Sequence, residues 1–194
     1  MSPLASTTQE KRPSGNIILV GMMGAGKTTV GKILAMKLGK DFLDSDSEIQ
    51  RRTGVSIPHI FDIEGEAGFR QREISVIQEL VKRNNIVLAT GGGAVMDEKN
   101  QAAMQCNGIV VYLESAAHDL WQRLRHDSNR PLLQIADPYA KLQELYALRS
   151  PIYAQIADVV VHTGKQSVKR LVAQLQLELN RLNTVEQVTG QHGD

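Results

Sequence analysis

The chain has 194 residues, room for one domain with small insertions, and its 42% hydrophobic and 22% charged residues suit a globular protein with a buried core. Its 22 Lys and Arg against 21 Asp and Glu leave a formal charge of +1, which argues against binding nucleic acid by bulk electrostatics, since that gathers many cations on one face. A single cysteine, Cys106, cannot form an internal disulfide and fits a reducing cytoplasmic setting; no apolar run approaches the ~18–20 residues of a membrane span.

Residues 1–14 are mostly polar, with Pro3 and Pro13, and read as a flexible tail ahead of a folded domain at 15–182. The first candidate strand is Asn16–Val20. It runs into Gly21-Met22-Met23-Gly24-Ala25-Gly26-Lys27-Thr28, a complete G-x-x-x-x-G-K-[ST] phosphate loop between a strand and a helix. Glycines let backbone N–H groups close around phosphate oxygens without a Cβ in the way. Lys27 offers a point charge to the β- and γ-phosphates, Thr28 a hydroxyl to Mg²⁺, and the helix aims its positive end at the same group. Gly24-Ala25-Gly26 also begins like a dinucleotide fingerprint, but Thr29 stands where the third glycine belongs.

The next helical pattern carries Val30, Ile33, Leu34 and Leu38 on one face and leads to a second strand, Phe42–Asp44. Asp44 and Asp46 follow at a spacing that puts both side chains on one face if the chain stays extended. One then helps to hold the metal while the other meets the acceptor hydroxyl; alternatively, Asp46 or Ser47 caps the following helix. Arg70, in Glu66-Ala67-Gly68-Phe69-Arg70, suits bidentate capture of a carboxylate, and equally suits an i,i+4 pair with Glu66. The third strand, Ile86–Ala89, ends in Thr90 and not in an acid, followed by Gly91-Gly92-Gly93. A fourth strand at Gly108–Leu113 leads to a polar loop, Arg125 to Arg130. Arg149 precedes Ser150-Pro151 and reads either as an anion ligand or as the cap of a helix broken by that proline. The fifth strand is Asp158–His162. A last helix carries Val168, Leu171, Val172, Leu175, Leu179 and Leu182 on one face, and the loss of that period marks 183–194 as a second loose tail.

Strands alternating with helices predict an α/β fold: a central parallel sheet of about five strands flanked by helices, with ligands outside the carboxyl ends of the strands. The polar motifs fall after the first, second and third strands, where that rule puts a site.

Taken together and in order, Gly21–Thr29, Asp44-Ser45-Asp46, Phe61 to Arg70, Thr90-Gly91-Gly92-Gly93, Arg130-Pro131-Leu132-Leu133 and Arg149-Ser150-Pro151-Ile152-Tyr153 resemble the shikimate kinase family, from about Asn16 to Leu182. The resemblance implies a nucleoside-monophosphate-kinase-like P-loop fold with a substrate-binding segment at about 45–72 and a lid at about 123–136. It implies transfer of the ATP γ-phosphate to the 3-hydroxyl of shikimate, a step toward aromatic amino acids. Carried over by position, Gly24, Ala25, Gly26, Lys27, Thr28, Thr29, Arg130 and Gln166 contact ATP, and Arg123 lies near adenine. Asp46, Arg70, Gly92 and Arg149 contact shikimate, with Gly91 and Gly93 shaping that loop. Thr28 holds Mg²⁺, with Asp44 nearby through water. Lys27, Asp46 and Arg130 are the expected catalytic residues. An aspartate of ordinary pKa, about 3.9, is a feeble base for an alcohol, so Asp46 is expected to orient the hydroxyl. The protein is expected to act as a cytoplasmic monomer that binds neither nucleic acid nor membrane. Two rival readings are a gluconate kinase, which shares the phosphate loop, and a nucleotide-binding regulatory module that has lost catalysis.

Overall fold

The computed structural model describes residues 15–127, 131–164 and 166–189. Among these residues five strands form one parallel sheet: β1 Asn16–Val20, β2 Asp41–Asp44, β3 Ile86–Ala89, β4 Gly108–Glu114 and β5 Val159–His162, in the order β2-β3-β1-β4-β5. The central β1 pairs on both sides, Ile18 lying opposite Leu88 and Val110, and all of its residues are buried. A strand covered on both faces has no solvent side, which is why its sequence is an unbroken apolar run.

The fifth strand begins at Val159, one residue later than the sequence pattern suggests. Asp158 leaves the ladder because its carboxylate accepts the Val110 N–H at 2.7 Å while its own N–H donates to the Val110 carbonyl at 2.9 Å.

Among the described residues, seven α-helices connect and cover the strands: α1 Lys27–Leu38, α2 Ser45–Thr53, α3 Ile57–Leu80, α4 Glu98–Asn107, α5 Ala117–Leu124, α6 Pro138–Ile156 and α7 Val168–Thr189. Within α3, Gly65 (φ 69°, ψ −177°) breaks the helical path, so the segment before it enters the site region at its own angle. Helix α6 continues through Pro151, contrary to the reading of a helix broken there. The proline removes one backbone donor, and packing on both sides of it outweighs that loss. Helix α7 also runs past Leu182, where the apolar stripe stops, to Thr189. That stripe records packing, with Leu171, Val172, Leu175 and Leu179 buried, whereas helical hydrogen bonding needs no apolar neighbour.

Because every strand is parallel, the carboxyl ends Val20, Asp44, Ala89, Glu114 and His162 share one edge of the sheet. The loops leaving that edge carry the residues of interest.

Candidate active site

The loop leaving β1 is held in a tight turn. Gly21 has φ +141°, and a Cβ there would come within 2.7 Å of the Leu113 carbonyl oxygen, so only glycine fits. Lys27 curls back over the loop, its Nζ donating to the carbonyls of Gly21 at 2.7 Å and Met22 at 2.9 Å. Ala25 is buried, and its N–H donates to the Met22 carbonyl at 3.2 Å. Thr28 Oγ1 donates to Asp44 Oδ2 at 2.8 Å.

Asp44 does two jobs. Its other oxygen accepts the Ser47 N–H at 3.0 Å, which makes Asp44 the N-cap of α2. The capping carboxylate is therefore Asp44, and neither Asp46 nor Ser47 takes that role. The extended spacing of the two acids does not persist either, because the chain turns helical at Ser45 and leaves Asp46 in the first turn of α2. Both acids nonetheless line the same space. Asp46 Oδ1 stands 2.9 Å from where a Gly91 Cβ would lie.

The glycine run after β3 is anchored from several sides. Thr90 donates its N–H and its hydroxyl to the Leu19 carbonyl, at 3.2 and 3.1 Å. The Gly91 N–H donates to Ser45 Oγ at 3.0 Å, and the Gly92 carbonyl accepts from the Tyr153 hydroxyl. A Cβ on Gly93 would collide with the Arg70 guanidinium.

Arg70 does form the i,i+4 pair with Glu66, through Nε at 3.2 Å and Nη2 at 2.8 Å. It also donates from Nη1 to Glu73 Oε2 at 2.7 Å, and Glu73 is 1% exposed. Burial pushes the Glu73 carboxyl up, Arg70 pulls it back down, and Asp46 adds a further upward push. For Arg70, burial lowers the pKa and the two glutamates outweigh it. Arg149, on α6, is also buried, and burial lowers its pKa, with the like charge of Arg70 contributing. Glu73 escaped the sequence reading. Its i+3 spacing from Arg70 was visible, but nothing local announced that the side chain is buried beside a site.

These groups surround a cleft of ≈ 380 Å³ lined by Asp44, Asp46, Arg70, Glu73, Gly91 to Gly93 and Arg149, with Ile57, Phe61, Phe69 and Leu132 as an apolar wall. A second hollow of ≈ 240 Å³ is lined by Met23, Gly24, Gly26 to Thr29, Asp44, Asp46, Thr90 and Gly92. Met23, Thr28, Asp44, Asp46 and Gly92 line both, so whatever fills one abuts what fills the other.

Gln166 lies apart from these walls, in the loop between β5 and α7, where Nε2 donates to the His162 carbonyl at 2.8 Å. Arg123 ties that region to the phosphate loop, donating to the carbonyls of Gly24 at 3.0 Å and Thr163 at 3.3 Å. Arg130 lies outside the described residues.

A phosphate loop at the carboxyl edge of a five-stranded parallel sheet, opening onto a cleft of paired acids and arginines, defines a P-loop kinase of small molecules. The family model for shikimate kinase matches residues 23–180, and the chain belongs to that family. The shikimate kinase of Nitrosospira multiformis is 55% identical over 170 residues, 88% of this chain and 87% of that protein. The structure of shikimate kinase from Acinetobacter baumannii in complex with shikimate is 48% identical, with a TM-score of 0.84 over 89% of this chain and 96% of that chain. A gluconokinase from Sinorhizobium meliloti is similar at a TM-score of 0.57 and 17% identity, covering 94% of this chain and 100% of that chain, a likeness of fold alone.

Proposed function

We propose that this protein transfers the γ-phosphoryl group of ATP to the 3-hydroxyl of shikimate, releasing ADP and 3-phosphoshikimate. The observation that carries the reading is the pair of adjoining hollows: a phosphate-loop hollow and an acid-and-arginine cleft that share Asp46 and Gly92 as common wall. Two substrates seated there meet at Asp46.

Each side chain then has a task that its chemistry suits. Gly24 to Thr29 cradle the phosphates, and Lys27 exchanges its loop carbonyls for phosphate oxygens. Arg70 and Arg149 receive the shikimate carboxylate, with Gly92 forming the floor beside them. Asp46 accepts from the 3-hydroxyl and aims it at the phosphorus. Arg130 offsets charge on the transferring group and Gln166 meets the nucleotide, two roles that rest on family resemblance. Phosphoryl transfer passes through a loose transition state, so positioning and charge compensation supply most of the rate.

Thr28 and Asp44 present oxygen donors 2.8 Å apart, and among the described residues no cluster of three or more His, Cys, Asp or Glu could form a closed metal cage. That donor set fits Mg²⁺, which takes few protein ligands and keeps water and substrate phosphates. When bound, the ion neutralises charge on the β- and γ-phosphates.

The working unit in this reading is a monomer. Among the described residues no helix is long and apolar enough to cross a membrane. An ADP-release assay across shikimate, gluconate and nucleoside monophosphates tests the reading, with Mg²⁺ withdrawn in one arm. Turnover is expected with shikimate and Mg²⁺ together. Equal turnover with gluconate, or none with any acceptor, would overturn it in favour of the gluconate kinase or the inactive module.

A further inference from the structure

Tyr153 is fully buried, and a buried phenol keeps its hydroxyl only by finding a partner. Its ring stacks on Tyr112, with centroids 5.1 Å apart and planes at 29°. The two tyrosines differ in where their hydroxyls go. That of Tyr112 stays with α6, 3.1 Å from Ser150 Oγ. That of Tyr153 leaves the helix and donates to the Gly92 carbonyl, with Met22 Sδ of the phosphate loop 3.7 Å away. Arg149 lies four residues earlier on α6, so the helical repeat places guanidinium and phenol on one face of it.

The glycine run needs such a partner. Gly91 is pinned by Ser45 Oγ at its N–H and by the Ala94 N–H at its carbonyl, 3.2 Å away, and the Gly93 carbonyl accepts from Met96 at 3.0 Å. Between these anchors, two residues without side chains are joined by a peptide group whose described hydrogen bond is the one from Tyr153. The peptide is trans and planar, so holding the carbonyl on the Tyr153 side turns the Gly93 N–H the opposite way. Gly93 backs onto the Arg70 guanidinium, and both glycines line the cleft.

We infer that Tyr153 is a positioning residue for the acceptor cleft: its hydroxyl sets the orientation of the Gly92–Gly93 peptide and thereby the wall that receives the substrate, from the same helix that supplies Arg149. This rests on the reading of Gly92, Arg70 and Arg149 as shikimate-binding. It acts on the shikimate side of the shared wall and leaves the nucleotide side to the phosphate loop.

The test is Tyr153→Phe, which keeps the ring and its stack and removes the hydroxyl. The KM for shikimate is expected to rise about tenfold, the effect of one lost oriented hydrogen bond, while the KM for ATP stays within about twofold. Tyr112→Phe, which leaves the glycine run untouched, keeps both values. A shikimate KM in Tyr153→Phe that stays at the wild-type value, or a rise matched by ATP, overturns the inference. Arg70→Ala, measured alongside, separates the two layers. If it loses shikimate use while Tyr153→Phe does not, only the positioning role falls; if it too binds shikimate normally, the reading of the cleft falls. A measurement on the unaltered protein guards against a variant that fails to fold. In a ¹⁵N-glycine-labelled sample, shikimate should shift the Gly92 and Gly93 amides more than those of Gly15 and Gly108 at the opposite edge of the sheet, and unmoved Gly92 and Gly93 signals would refute the inference.

Discussion

Replacing Arg70 with alanine takes the cation away from an acid that cannot reach water. Glu73 has 1% of its side chain exposed and Arg70 has 21%, with 2.7 Å between them. Breaking a fully buried pair by removing one partner costs about 3–5 kcal/mol, and the partial exposure of Arg70 brings the expectation down to about 2–3 kcal/mol. In a domain of this size that lowers Tm by about 5–10 °C. The loss should depend on pH, with a definite sign. Burial already holds the Glu73 carboxyl above its ordinary pKa, and Arg70 is the largest opposing influence. Without Arg70 that pKa rises further. An acid whose folded-state pKa is raised favours the fold while protonated, so stability is retained below the ordinary value of about 4.3 and lost as pH rises through the raised one. Thermal unfolding of Arg70→Ala followed by circular dichroism should therefore show a smaller deficit near about pH 4–5 than near about pH 8. Adding Glu73→Gln should restore most of it, because a neutral amide loses less on burial than a carboxylate. A deficit that is equal at both pH values and not relieved by Glu73→Gln would refute the electrostatic account. It would assign Arg70's contribution to packing instead, its guanidinium lying 5.3 Å from the centroid of the Phe69 ring.

Arg149→Ala should weaken shikimate binding about ten- to a hundredfold, the loss of one charge-assisted contact of roughly 1.5–3 kcal/mol, while an ATP titration changes little. Arg149→Lys should also bind poorly, since an ammonium lacks the guanidinium fork; unchanged shikimate affinity in both variants would count against the carboxylate clamp. Lys27→Ala should abolish most turnover in the ADP-release assay while the circular dichroism spectrum stays folded, and near wild-type turnover would remove the phosphate loop from the chemistry. Asp44→Asn keeps an oxygen to cap α2, turns the atom facing Thr28 into an NH2 that donates to the threonine hydroxyl, and gives up the charge. It should raise the Mg²⁺ concentration needed for half-maximal rate about tenfold with Tm nearly unchanged, and an unaltered Mg²⁺ requirement would detach Asp44 from the metal.

Much of this molecule was legible along the chain because its governing interactions are local. A phosphate loop is built from contiguous residues, so Gly21 to Thr28 could be read as a unit with its strand and helix. The strands announced themselves because a sheet covered on both faces demands apolar runs, as in Asn16–Val20 and Ile86–Ala89. The parallel architecture followed from the alternation of strands and helices, and with it the edge where the site lies.

What the tertiary structure decided depends on groups far apart in sequence. Asp44 and Asp46 looked equivalent, but the start of α2 at Ser45 separates them, giving Asp44 both the cap and the Thr28 hydroxyl. Arg70 offered a choice between a surface pair and an anion ligand. The structure shows the pair with Glu66 and adds Glu73, whose burial comes from the packing of α3 against the rest of the site. Pro151 marked a helix end by local rule, yet α6 runs through it and so brings Arg149 and Tyr153 to one face. Tyr153 itself gave no local sign of a role, because its partners Gly92 and Met22 lie 61 and 131 residues away. Periodicity and motif spacing report what neighbours in the chain require of one another. Burial, and the partners that a buried polar group must find, are settled only when the whole chain has closed around it.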